Sequence, residues 1–435
     1  GIGVLLHQQL KNSNSEVKKF ALGQLEAHGK VDVHAIKEML ANETDAEAKE
    51  KAVAILCRHD DAYLNKMAAT LHEQEYGTRK AVIISLLNQQ EFDYLLNAGN
   101  EINSLINSPS PEERKLAISI ISELKHVQFA KDIANLINDS DASVRRAAVA
   151  AACRLKIATL LPQILQRASH PEEKHLVMKA LLQYGDKLYE DIKPLPRELT
   201  EAHTADLIKI SGGIKGEHCK SFLVQALNCD GEQLNKAIHS LWAQGYSPGD
   251  EARQPLHQLL EKYLRRGLDK IEAYQHVHYS GHEKEIVKHS LINEIKTDLV
   301  LALKLCAMMH HRQRINRILE LMDIERHQKI YNAIEMIELE LPRKTAQALV
   351  SIFDFVLGPE EHKTTAAQEK ANIFYKVYDD AAFSYNSWTK ALVMYCSWKN
   401  KVEEDVSHIQ PVPAQNEAFI VAETRGFVLG AKRSI

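Results

Sequence analysis

Asn138 to Leu155, NDSDASVRRAAVAAACRL, reads as the second helix of a two-helix repeat. Asp141 stands where its carboxylate caps the first turn, and Val144, Ala148, Val149 and Ala152 form one apolar stripe at helical spacing. Arg145 and Arg146 open the polar side. Nothing in the stretch is chemistry; it states an architecture.

The same outline recurs through the first half of the chain. With Val144 as anchor, the equivalent positions are Val17, Ala48, Thr78, Glu113, Val144, Glu173, His203 and Gln233, at intervals of 31, 30, 35, 31, 29, 30 and 30. So steady a period marks stacked hairpins, each too small to bury its own apolar face. Three residues ahead of the anchor stand Asn14, Asp45, Glu75, Ser110, Asp141, His170, Thr200 and Asp230, of which all but Glu75 and His170 are good N-caps. Pro111 and Pro171 follow at the first helical position, where proline loses no bond. Four residues after the anchor the column is Ala21, Ala52, Val82, Ala117, Ala148, Val177, Leu207 and Ala237. Eight after it come Leu25, Leu56, Leu86, Ile121, Ala152, Leu181, Ser211 and Leu241. Small side chains let helices approach, and the bulk one turn later fills the space between them.

The expected fold is therefore all-α: a HEAT-like α-α superhelix, a right-handed solenoid of stacked antiparallel helix pairs. Shorter amphipathic helices such as Asp32–Leu40 and Phe129–Ile137 precede the capped ones. About eight short repeats occupy 1–245. Longer stacked helices follow over 246–358: Gln254–Val277, Glu283–Met309, Gln313–Leu321, Gln328–Glu338 and Lys344–Leu357. A last pair, Ser387–Trp398 and Asn416–Leu429, with a polar loop from Glu403 to Gln415 between them, lies in 359–435.

Composition narrows function mainly by exclusion. The chain has 435 residues, 45% hydrophobic and 26% charged, with a formal net charge of −4, so no global field draws it onto nucleic acid, and none is expected as a partner. Cys57, Cys153, Cys219, Cys229, Cys306 and Cys396 are scattered without a CxxC pair, as reduced core residues of a cytosolic protein would be. No stretch approaches the roughly 20 apolar residues of a membrane span. The opening Gly1-Ile2-Gly3-Val4, without a methionine, reads as the start of a piece excised from something longer.

In the second region Arg314–Leu341, above all Asn332-Ala333-Ile334-Glu335-Met336-Ile337-Glu338, resembles the Asn-Ala-x-Glu-x-x-Asp/Glu helix of the cytoplasmic HEAT extensions of bacterial ATP/ADP translocase-like transporters of the major-facilitator type. Trp388-Thr389-Lys390-Ala391-Leu392 and Glu423-Thr424 resemble the closing Trp-x-x-Ala-Leu and Glu-Thr repeat of the same extensions. In this sequence the acidic end of the first motif is Glu338 followed by Glu340. The resemblance implies a soluble module on the cytoplasmic side, tethered to the inner membrane, with a protein partner on its surface and an anionic membrane surface within reach. Nucleotide exchange belongs to the family's membrane domain, so no transport residue carries over.

The polar feature with most to say is the pair of columns just after the anchor. Lys18, Lys19, Arg79, Lys80, Arg114, Lys115, Arg145 and Arg146, stacked at one repeat each, form a candidate ridge for an anionic partner. At the surface of an anionic leaflet each basic residue is worth about 1 kcal/mol. The plainer reading is a solvated ridge whose neighbouring acids form ion pairs of roughly 0–1 kcal/mol each.

Catalytic readings find less support. His276, His278 and His282 lack ligand spacing on a continuous helix. The Ser211–Gly216 loop SGGIKG has neither a preceding strand nor a phosphate-loop pattern. Cys57-Arg58-His59-Asp60 places a thiol near a base, but inside an apolar stripe. No catalytic residue, metal ligand or cofactor is expected, and a non-enzymatic interaction or regulatory scaffold is the favoured function. The competing reading is an enzyme on the same scaffold, like the HEAT-like DNA glycosylases or bilin lyases, whose repeats have a similar period. A glycosylase wants aromatic residues at the centre of a basic face, whereas Trp242, Trp388 and Trp398 lie outside the regular hairpin columns.

Overall fold

A computed structural model describes residues 2–89, 91–124, 129–195, 199–323, 335, 341–358, 373–380, 384–410 and 418–432. The chain is all-helical, and no strand occurs among the described residues. Two compact units divide it, Gly1–His203 and Thr204–Ile435.

The first unit contains α1 (Ile2–Gln9), α2 (Ser15–Ala27), α3 (Val33–Ala41), α4 (Ala46–His59), α5 (Asp61–Ala69), α6 (Tyr76–Asn88) and α7 (Phe92–Ile106). It continues with α8 (Pro111–Leu124), α9 (Ala130–Leu136), α10 (Ala142–Leu155), α11 (Leu161–Ala168), α12 (Pro171–Tyr184) and the five-residue α13 (Lys187–Asp191), which stops short of Pro194. From α2 to α12 each even-numbered helix packs on the next even one, while α3, α5, α7, α9 and α11 pack on even-numbered neighbours. Two layers result, and the even layer is continuous.

The columns read from the sequence explain that continuity. Ala21, Ala52, Ala117 and Ala148 are fully buried, as is Val82, and Val177 is 2% exposed. One turn later Leu25, Leu56, Ile121, Ala152 and Leu181 are at zero exposure. A small residue at the crossing point brings two helices close, and a larger one fills the gap beside it.

Four expected caps form. Asn14 accepts from the amide of Glu16, Asp45 from Ala48, and Asp141 from Ser143 and Val144. Thr200 Oγ1 accepts from the His203 amide at 3.2 Å. Asp230 does not cap. The helix it precedes begins at Gly231 with φ +58°, and the Asp230 carboxylate turns instead to Lys262 Nζ at 3.3 Å.

After α14 (Glu201–Ser211), the second unit contains α15 (Glu217–Ala226), α16 (Gly231–Ala243), α17 (Asp250–Gln275), α18 (Gly281–Met309) and α19 (Arg312–Asp323). Then come α20 (Arg343–Leu357), α21 (Ile373–Tyr378), α22 (Ser387–Lys399), α23 (Glu403–His408) and α24 (Phe419–Lys432). The long antiparallel pair α17 and α18 is the spine: α16, α19, α20 and α22 pack on α18, and α20 also packs on α17. Gly267 permits that last contact, since a Cβ there would lie 2.8 Å from Ile352 Cδ1. Because α16 packs on α18, the last short hairpin belongs with the long helices.

The polar stretch from Glu403 is not all loop. Residues Glu403–His408 form α23, held by the buried Asp405 carboxylate, which accepts from Ser397 Oγ of α22 at 2.8 Å. The expected helix Gln328–Glu338 and the Asn332–Glu338 motif lie, apart from Glu335, outside the described residues. No described helix is long and apolar enough to cross a membrane.

Candidate functional site

The eight cations of the expected ridge divide into two sets with different work. Those one place after the anchor point sideways, to the next hairpin. Lys18 Nζ lies 2.8 Å from Glu43, and Arg79 bridges Glu101 at 2.8 Å and Glu113 at 3.0 Å. Arg114 grips Asp139 through two nitrogens at 2.8 and 2.9 Å, and Arg145 grips Glu173 at 2.8 and 2.6 Å. Lys49, in the same column, reaches Glu75 at 3.4 Å. Glu43, Glu75, Glu113, Asp139 and Glu173 each sit at or just ahead of the start of the next even helix, where the helix dipole also favours negative charge. The column is a ladder of rungs between hairpins.

Except at Lys49–Glu75, where the glutamate side chain is 71% exposed, those rungs are largely withdrawn from water. The Lys18 side chain is 14% exposed and that of Arg79 7%. Burial opposes the Glu43 charge, yet Lys18 and the amides of Asp45 and Thr44 outweigh it and hold the pKa down at about 2. Arg167 and then Arg145 hold Glu173 at about 2 against burial. Both carboxylates are depressed from 4.5, so each contributes stability above that pH and loses it as pH falls through the folded value near 2. Each is worth on the order of 2 kcal/mol at neutral pH. Acid titration followed by hydrogen exchange should show protection in α4 and α12 falling between pH 4.5 and 2, with Glu43→Gln flattening the α4 response; a flat wild-type response would show that the rungs are solvated.

The second set, two places after the anchor, lies on the face that the even helices turn away from the odd ones. Lys19 pairs with Glu16 and Glu47, both at 2.6 Å, Lys80 with Glu50 and Glu123 at 2.7 and 2.8 Å, and Lys115 with Glu112 at 2.6 Å. Lys51 Nζ donates to the Lys19 carbonyl at 2.7 Å, and Arg58 pairs with Glu26 at 2.8 Å. A groove of about 430 Å³ across α4, α6 and α8 is thus lined by charges that cancel one another. Arg146 differs: it is exposed, and among the described residues its one hydrogen bond is from Nε to the Ala142 carbonyl of its own helix. It borders a second groove, of about 200 Å³, between α10 and α12.

The second unit holds a feature that the sequence did not disclose. Lys270 of α17, 1% exposed, places Nζ 2.6 Å from Asp298 and 2.8 Å from Glu294, both on α18 and nearly as buried. Arg266, one turn earlier, lies 3.5 Å from Asp298 and donates to the Ser384 carbonyl at 2.9 Å. Glu294 also accepts from the Asn386 amide at 3.1 Å and from Thr389 Oγ1, which in turn meets Ser290 Oγ at 2.8 Å. Two cations and two carboxylates therefore lock α17 to α18 and fasten the start of α22 to both. Burial raises the Asp298 pKa, with Lys270 and Arg266 pulling it back. An open groove of about 370 Å³ runs beside the cluster, lined by His289, Asn293 and Thr297 of α18 and by Trp388. The i, i+4 spacing of Arg266 with Lys270 and of Glu294 with Asp298 was visible; that the two pairs face each other was not.

The catalytic candidates fall in structural places. The Cys57 thiol has zero exposure and is pushed up to about 12 by burial, as is that of Cys153, so neither is a ready nucleophile. Asp60 caps α5 and pairs with Lys37 at 2.6 Å. Ser397, Asp405 and Tyr279 form a chain of hydrogen bonds, but Ser397 and Asp405 have zero exposure. Ser211–Gly216 joins α14 to α15, and His310-His311 joins α18 to α19. Among the described residues no group of three or more His, Cys, Asp or Glu side chains is placed to hold a metal ion. Compared with known proteins, the sequence matches no family model and no curated protein.

Proposed function

We propose that this chain is a non-enzymatic interaction module, a HEAT-like right-handed α-α superhelix that offers the outer face of its even helices to a protein partner. The observation that carries the reading is the ladder. Lys18, Arg79, Arg114 and Arg145, each one place after an anchor, are spent on joining hairpins, so the stack is braced by its own means and its even-helix face stays open. The resemblance of Trp388–Leu392 and Glu423-Thr424 to transporter extensions adds a setting. In it the module is the cytoplasmic part of a nucleotide (ATP/ADP) transporter-like membrane protein, with a regulatory role beside the inner membrane.

The test is photo-crosslinking in cells of the source. Probes at Ala54, Ile84, Ser119 and Ala150, on the even-helix face, should yield a discrete protein adduct; probes at the exposed odd-helix positions Asn103, Lys131 and Gln166 should not. The same adducts from both faces, or none from the first set, would overturn the reading.

A further inference from the structure

The groove between α10 and α12 differs from the rest of the even-helix face in the balance of its charges. Arg145, Arg146 and Lys179 line it against one carboxylate, Glu173, and that carboxylate is already held by Arg145 and by Arg167 at 2.5 Å. Neither Arg146 nor Lys179 has a carboxylate partner among the described residues. Everywhere else on this face the lysines at comparable positions are neutralised: Lys19 and Lys80 meet two acids each, and Lys115 one. The surplus of positive charge is local.

Beneath those cations the groove is apolar. Val149 and Val177 are buried, and Leu176 stands 38% exposed at the edge. The volume, about 200 Å³, is below the roughly 300–1,000 Å³ of a site for a small molecule and suits one large apolar side chain.

We infer that this groove docks a short acidic segment of a partner protein, with one aliphatic or aromatic side chain seated over Val149, Val177 and Leu176 and its flanking carboxylates on Arg146 and Lys179. The inference rests on the even-helix face being the interaction surface, and it names the chemistry of the partner. A protein segment fits better than a phosphate backbone because the cations surround an apolar centre instead of forming a continuous track. Charge pairs at such a rim set the association rate and make it salt-dependent.

The experiment uses the purified full chain and fluorescence anisotropy with labelled peptides of about twelve residues, enough to cross the groove and both rims. The first is rich in Asp and Glu around a central Leu-Phe pair. In the second that pair is serine, and in the third the acids are lysine. Vesicles rich in phosphatidylserine and a short single-stranded oligonucleotide complete the set. The first peptide should bind saturably at low salt, with the second at least about tenfold weaker and the third not bound. The double variant Arg146→Glu/Lys179→Glu should weaken the first peptide by about tenfold or more, and Leu176→Ser should remove the preference for the apolar pair. Lys131→Glu, on an odd helix, should change nothing. Circular dichroism confirms that each variant is folded. Absence of binding, insensitivity to the double variant, or equal binding of vesicles or oligonucleotide would overturn the inference. If it fails while crosslinks from Ala54, Ile84 and Ser119 persist, the scaffold reading stands and only this groove is removed; if those crosslinks are also missing, both fall.

Discussion

Replacing Lys270 by methionine is expected to destabilise the second unit by about 3–5 kcal/mol, because it strands Asp298 and Glu294 without their shared cation in a place that water hardly reaches. Arg266 remains 3.5 Å from Asp298 and does not reach Glu294 in this way. The loss should depend on pH in a definite direction. The folded pKa of Asp298 already lies above its ordinary 3.8, so the native state takes up the proton more readily than the unfolded chain; stability is gained as pH falls through that value and lost as it rises. Without Lys270 the shift grows. The variant's deficit should then be largest near neutral pH and shrink on acidification, opposite in sign to the acid sensitivity of the Glu43 and Glu173 rungs. Hydrogen exchange in α17 and α18 reads the effect locally. A triple change, Lys270→Met with Glu294→Gln and Asp298→Asn, should recover a large part of the loss, since no uncompensated charge is left. A cost below about 1 kcal/mol for the single change, the range of exposed pairs, would show that solvent enters the cluster.

The second large effect is expected at Arg79. Burial works against its charge, but Glu101 and Glu113 outweigh that, and the guanidinium joins α6 to both helices of the next hairpin. Arg79→Met leaves the 9%-exposed Glu101 with only the exposed His72 ring, 3.6 Å away, in place of its guanidinium, and should cost about 3–5 kcal/mol, read as a lowered melting temperature and faster proteolysis near α7. Arg79→Lys should recover only part. An ammonium is a point charge on a flexible stem and does not hold two carboxylates in a planar fork. Equal stability of the lysine variant and the parent would show that charge alone, without the fork, makes this rung.

Much of the architecture was legible because stacking repeats the same environment every thirty residues or so. Ala52, Val82, Ala117 and Ala148 occupy the same crossing point in successive hairpins, and a requirement met that often shows as a column. Caps were legible for the same reason at Asp45 and Asp141, where side chain and amide are neighbours in sequence; Asp230 departs because Gly231 opens its helix in the left-handed region. The ridge was visible as charge but not as structure. Lys18 and Arg145 look like surface residues until the next hairpin places Glu43 and Glu173 against them. Least visible were contacts between distant segments: Thr389 with Glu294 and Ser397 with Tyr279 leave no local period, and the six-residue helix from Glu403, anchored on that same Ser397 through Asp405, was read as loop.

The rungs have a consequence for how the first unit comes to exist. Each joins residues only 22 to 34 positions apart, so closing it restricts a short length of chain and costs little entropy. A topology of such local closures is expected to assemble fast and to grow by accretion from whichever hairpin forms first. On the ribosome, α2 and α4 would lock through Lys18 and Glu43 while the residues that make α12 were still waiting to be translated.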